Sequence, residues 1–124
     1  MKKPCLILLG GLGWDVRRRA VSLALTAAAF GHPVVVALSG EPLVAWLDGR
    51  FDDGAPLEAQ AARVGSLAAL LEEGRRDLGV EVVACDTELR LAGFDPQVAG
   101  AALDAVRSLP EQWRDAADGH VLSF

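Results

Sequence analysis

The stretch VVACDTELRLAG, residues 82–93, puts a cysteine where an apolar run turns polar. A thiolate at such a boundary is a nucleophile, whereas a protonated thiol is a small apolar residue filling a core. The chain has one other cysteine, Cys5, and two histidines, His32 and His120. There is no CxxC pair and no Cys/His cluster of metal-binding spacing, so no metal is expected. A second candidate is GGLGWD, residues 10–15, which follows an apolar run as a phosphate-binding turn does. Gly11 and Gly13 match the dinucleotide fingerprint, but Val16 stands at its third glycine and no GK[ST] follows. The turn also lacks a hydroxyl. The preferred reading is a tight turn that lets the backbone pass close to a neighbouring loop, with small-anion or nucleotide binding as the alternative. No organic cofactor is expected. Arg17, Arg18 and Arg19 fall in the first turn of a predicted helix, where cations oppose the macrodipole. A solvated face salted by Asp15 and Glu41 is expected for them, and Trp14, Trp46 and Trp113 are expected to pack or to meet a partner.

These residues need elements to position them. Residues 4–9 are a continuous apolar run ended by Gly10 and Gly11, the pattern of a strand buried on both faces. Residues 14–30 turn helical, with a narrow polar face and Gly31 as the stop. So apolar a helix has more to bury than one sheet face covers. Residues 33–38 form a second buried strand, residues 41–49 a short helix and residues 50–56 a loop. Leu57, Ala61, Val64, Ala68 and Leu71 recur at helical spacing and predict a single helix over 57–77, stopped by Gly79. Residues 80–85 are the third strand, followed by a short helix that Gly93 closes. Asp95 and Pro96 read as the N-cap and first turn of another helix. The capping box at residues 108–111 demands a break before it, with room for a short fourth strand at 105–107; residues 120–124 form the last strand.

Strands alternating with helices predict one α/β domain over residues 1–124. Its sheet is doubly wound, mostly parallel and of four or five strands, with helices on both faces. Chemistry in such a sheet sits at the carboxyl ends of the strands, near the reversal of strand order. Residues 10–15, 39–42 and 85–87 reach that edge, while Cys5, His32 and His120 fall at the opposite one. The edges are about 15–20 Å apart, too far for a disulfide between the two cysteines. With no histidine beside Cys85, a Cys-His hydrolase is a poor reading. Gly11, Gly13, Trp14 and Thr87 are expected to frame a pocket around Cys85. The following helix favours a thiolate, and Asp86 and Glu88 oppose it by like-charge repulsion. Placement alone leaves a reactive and an inert thiol both open.

Composition narrows the partners. A net charge of −5 over 124 residues argues against nucleic acid. No apolar run approaches the length that spans a membrane, so no membrane partner is expected. MKKPCLILLGGLGW begins like a secretion signal, but its apolar part is short and lacks a cleavage site. A buried first strand and a cytoplasmic location, where thiols stay reduced, are the expectation.

GVEVVACDTELRLAG, residues 79–93, resembles the DsrE- and TusD-type sulfur-relay family: a buried strand ends in a cysteine and a short helix is closed by a glycine. The likeness extends to the first strand with its glycine turn, to GHPVVVAL and to the terminal ADGHVLSF. The segment after Gly93 is short for a relay subunit. The resemblance implies a flavodoxin-like fold, a homo-trimer or hexamer, and donor and acceptor proteins as partners. It also implies that Cys85 carries sulfur as a persulfide.

Overall fold

A computed structural model describes residues 2–124. The aliphatic runs become strands β1 (Cys5–Leu9), β2 (Val34–Leu38) and β3 (Glu81–Ala84), with a two-residue β4 (Ala105–Val106) and β5 (His120–Ser123). Between them lie α1 (Trp14–Ala29), α2 (Gly40–Leu47), α3 (Leu57–Ala61), α4 (Leu67–Leu78), α5 (Asp86–Leu91) and α6 (Leu109–Asp115). All strand pairings are parallel, in the order β4-β3-β2-β1-β5. This is the doubly wound α/β sheet expected, five-stranded and consistent with a flavodoxin-like fold.

Strand order decides which face each helix covers. From β1 to β4 the chain steps one way across the sheet, so right-handed crossovers put every connection on one face. The step from β4 back to β5 runs the other way and carries α6 to the opposite face. Side-chain alternation follows this division. Ile7, Leu9, Val36, Leu38 and Val82 pack with residues of α1, α2, α4 and α5 in the larger core. Leu6, Ala37 and Val83 face the other way, where Ala116 at the end of α6 joins them. Both β1 and β2 are therefore apolar on both faces.

Two predicted helices are corrected. The helix over 57–77 is broken into α3 and α4, because Arg63 adopts a left-handed conformation (φ 58°) and Ser66 starts a new N-cap. Asp52 reinforces that start, accepting from the Ser66 hydroxyl and the Leu67 and Ala68 amides. The apolar repeat misled because Leu57 is exposed rather than on the core face. The helix expected from Asp95 and Pro96 is a turn and a 3₁₀ segment, Ala99–Ala101. The Asp95 carboxylate accepts from Gln97 N (2.9 Å), a local bond that competes with helix propagation. The capping box holds: Ser108 accepts from Glu111 N, and the Glu111 carboxylate reaches back to Ser108 N.

The edge strand β4 is pinned by Asp104. Its carboxylate accepts both Nε and Nη2 of Arg75 (3.0 Å each) and the amide of Val82 (2.7 Å). Burial works to raise this carboxyl, but the Arg75 guanidinium and the Val82 amide hold it below its ordinary value.

Candidate functional site

Cys85 lies one residue beyond β3, in extended conformation (φ −88°, ψ 158°), as the N-cap of α5. Its half-buried Sγ accepts from Glu88 N at 3.3 Å. Register shows what stands beside it. β2 and β3 pair Ala37 with Val83, so two residues further along both strands Ser39 is level with Cys85. β1 and β2 pair Leu9 with Leu38, which brings Gly10 level with Ser39. A Cβ on Gly10 would lie 2.5 Å from Ser39 Oγ, so the glycine makes room for that hydroxyl. Gly10, Ser39 and Cys85 form one row at the carboxyl edge, on the face that α6 covers.

A cavity of about 460 Å³ opens over this row. Leu8, Ala37, Leu109 and Phe124 supply its apolar wall; Cys85, Ser39 and Gln112 are among its polar groups, and Glu88 is its one charged side chain among the described residues. Gln112 is 5% exposed and donates its Nε2 to the Arg107 carbonyl (2.9 Å). The set combines a thiol, a hydroxyl and an amide with no imidazole.

The glycine turn has another task. The amides of Gly10 and Gly11 both donate to the Phe124 carbonyl at 3.0 Å, and Gly13 N donates to the Glu41 carboxylate at 3.4 Å. A Cβ on Gly11 would lie 3.1 Å from both the Phe124 carbonyl carbon and Val16 Cγ1, so a side chain there would crowd the close backbone approach. Three amides of the turn, those of Gly10, Gly11 and Gly13, are thus taken by the chain's own acceptors.

Of the residues expected around Cys85, Gly11 lines its cavity. Gly13 and Trp14 instead line a second cavity of about 410 Å³, at the α1 and α2 side of the edge. Thr87 is exposed on α5 and borders neither cavity. Arg17, expected on a solvated face with Arg18 and Arg19, is 2% exposed. Its guanidinium pairs with Glu41 (3.2 Å), donates to the carbonyls of Phe51 (2.9 Å) and Asp53, and lies 5.7 Å from the Phe51 ring centroid. It clamps the loop after α2. Helical phase carried the signal, since Trp14, Arg17, Val21, Ala24 and Ala28 share the buried side of α1. Arg18 and Arg19 do pair with Asp15 at the surface.

The sequence places Ser39 only as the first of residues 39–42 at the carboxyl edge, and it gives no sign of Gln112. α6 exposes Leu109 and Trp113 and buries Gln112, an inversion that hydrophobic patterning cannot reveal. At the opposite edge Cys5 is 4% exposed, and burial pushes its thiol up. His32 and His120 meet edge to face at 5.9 Å, and His32 Nδ1 contacts the Lys3 carbonyl. Both cysteines are free. Among the described residues no group of His, Cys, Asp and Glu converges as a metal site, and no helix is long and apolar enough to cross a membrane. Comparison with protein-family models and with curated proteins gives no match to this chain.

Proposed function

We propose that the protein carries sulfur as a persulfide on Cys85 and passes it to a partner thiol. The observation that carries this reading is the placement of a half-buried free thiol in a 460 Å³ cavity at the carboxyl edge. The resemblance of residues 79–93 to the DsrE and TusD type of sulfur-relay protein supports it. Cys85 thiolate attacks the outer sulfur of a donor R–S–SH. The donor S–S bond breaks, its electron pair leaves on R–S⁻, and Cys85–S–SH forms. An acceptor thiolate then attacks the outer sulfur, forms its own persulfide and returns Cys85 as thiolate. The exchange is redox-neutral and needs no metal or organic cofactor. The same reading carries donor and acceptor proteins, a cytoplasmic setting and assembly into a homo-trimer or hexamer.

Intact-protein mass measurement after incubation with a sulfane-sulfur donor tests it. One added sulfur atom on the unaltered chain, absent from Cys85→Ser, is the expected result. Sulfur found only on Cys5, or on neither thiol, overturns the proposal.

A further inference from the structure

We infer that Gln112 on α6 and Ser39 at the end of β2 hold the outer sulfur of a Cys85 persulfide; the inference rests on the sulfur-carrier reading above. Only two polar or charged side chains are buried among the described residues, Arg17 and Gln112. Arg17 uses its guanidinium on Glu41 and the carbonyls of Phe51 and Asp53. Gln112 does not use all of its amide. Its bond to the Arg107 carbonyl fixes which end is Nε2, and neither Oε1 nor the remaining N–H makes another hydrogen bond among the described residues. Among the described residues no buried side-chain oxygen or nitrogen lacks a partner, so the Gln112 atoms without a bond are reachable from the space beside them and free to meet a group there. Gln112 borders two spaces, the cavity of about 460 Å³ that it shares with Cys85 and one of about 30 Å³ beside Cys5, and only the former has room for an added group.

Ser39 has the same unspent capacity. It occupies the N-cap position of α2, where serine ordinarily accepts a backbone amide, yet its side chain makes no cap bond and no other hydrogen bond among the described residues. It is level with Cys85 on the neighbouring strand, about 5 Å away at the backbone. A second sulfur on Cys85 stands about 2 Å beyond Sγ, inside the same cavity. There it can accept from the Ser39 hydroxyl and the free N–H of Gln112. When it is protonated, its S–H has Gln112 Oε1 to donate to. An amide serves both protonation states, which neither a lysine nor a carboxylate does. Glu88, the one charged side chain in that wall among the described residues, offers no competing cation.

The unaltered protein, Gln112→Met, Ser39→Ala and Ser39→Thr are loaded with inorganic polysulfide. Loss of the added sulfur to a fixed concentration of a small thiol is followed by intact mass. Iodoacetamide alkylation of unloaded Cys85 is measured alongside, because it reports access. Gln112→Met and Ser39→Ala are each expected to lose sulfur about fivefold faster, the worth of one hydrogen bond. Alkylation stays unchanged, and Ser39→Thr, which keeps the hydroxyl, behaves as the unaltered chain. Unchanged loss rates in both variants overturn the inference and leave sulfur carriage standing. So does a rise in loss matched by an equal rise in alkylation, since that reports a wider opening. Failure of the unaltered protein to load overturns both. If Gln112→Met does not fold, the Ser39 pair decides the question.

Discussion

On one face of the sheet, five helices lie over Ile7, Leu9, Val36 and Val82; on the other, α6 alone lies over Leu6, Ala37 and Val83. The strands are equally apolar on both sides, so the difference arises from the path of the chain and not from the strand sequence. One seven-residue helix cannot cover five strands. The carboxyl half of its face therefore stays concave, and a thiol, a hydroxyl and an amide converge there. The two cysteines fall on opposite sides of the same contrast. Cys5 points into the covered face at the amino edge, whereas Cys85 points into the concavity at the carboxyl edge. The two buried polar side chains divide likewise. Arg17 is spent on structure in the covered face, and Gln112 keeps unused capacity in the open one.

The largest expected effect is on thiol access. Cys5 reacts only through local opening of the sheet, so iodoacetamide should modify Cys85 at least about a hundredfold faster. Site-resolved mass mapping of a time course measures this, and comparable rates at the two thiols would break the contrast. The polar pair separates by stability. Arg17→Met strands Glu41 and two carbonyls and should lower the unfolding free energy by about 3 kcal/mol in urea titrations. Gln112→Met loses one bond to a carbonyl and should lower it by only about 1 kcal/mol. Equal losses would remove the distinction between a structural and an unspent group.

The smallest effect is at the sheet margin. Asp104 titrates lower in the folded than in the unfolded chain, so its contribution is full above the unfolded-chain value. It fades as pH falls through the lower folded value. Asp104→Asn should therefore cost about 1–2 kcal/mol at neutral pH, and the gap to the unaltered protein should narrow below about pH 4. A gap constant with pH would show that Asp104 acts through shape alone.

Much of this was legible in residue order. The strands around Ile7, Val36 and Val82 announced themselves as continuous apolar runs, and Ser108 and Glu111 marked the start of α6 by local capping chemistry. Cys85 could be assigned to the carboxyl edge because a strand's direction and end are local facts. The break at Arg63 was missed because Leu57 supplies an apolar beat while pointing to solvent. The pocket was only partly read. Gly11, Gly13 and Trp14 are neighbours in sequence, yet the turn sends Gly11 to one cavity and the other two to another.

The sequence by itself determined the parallel α/β architecture, the carboxyl-edge position of Cys85 and the separation of Cys5 from it. Each follows from the period of apolar residues and the direction of a strand, which act over a few residues. Only the tertiary structure decided the company Cys85 keeps. Ser39 joins it through strand register, Gln112 through the crossover that carries α6 to the far face, and Phe124 by occupying the glycine amides. Those meetings join residues dozens of positions apart, and the pairing order of the strands, which no local pattern encodes, sets them.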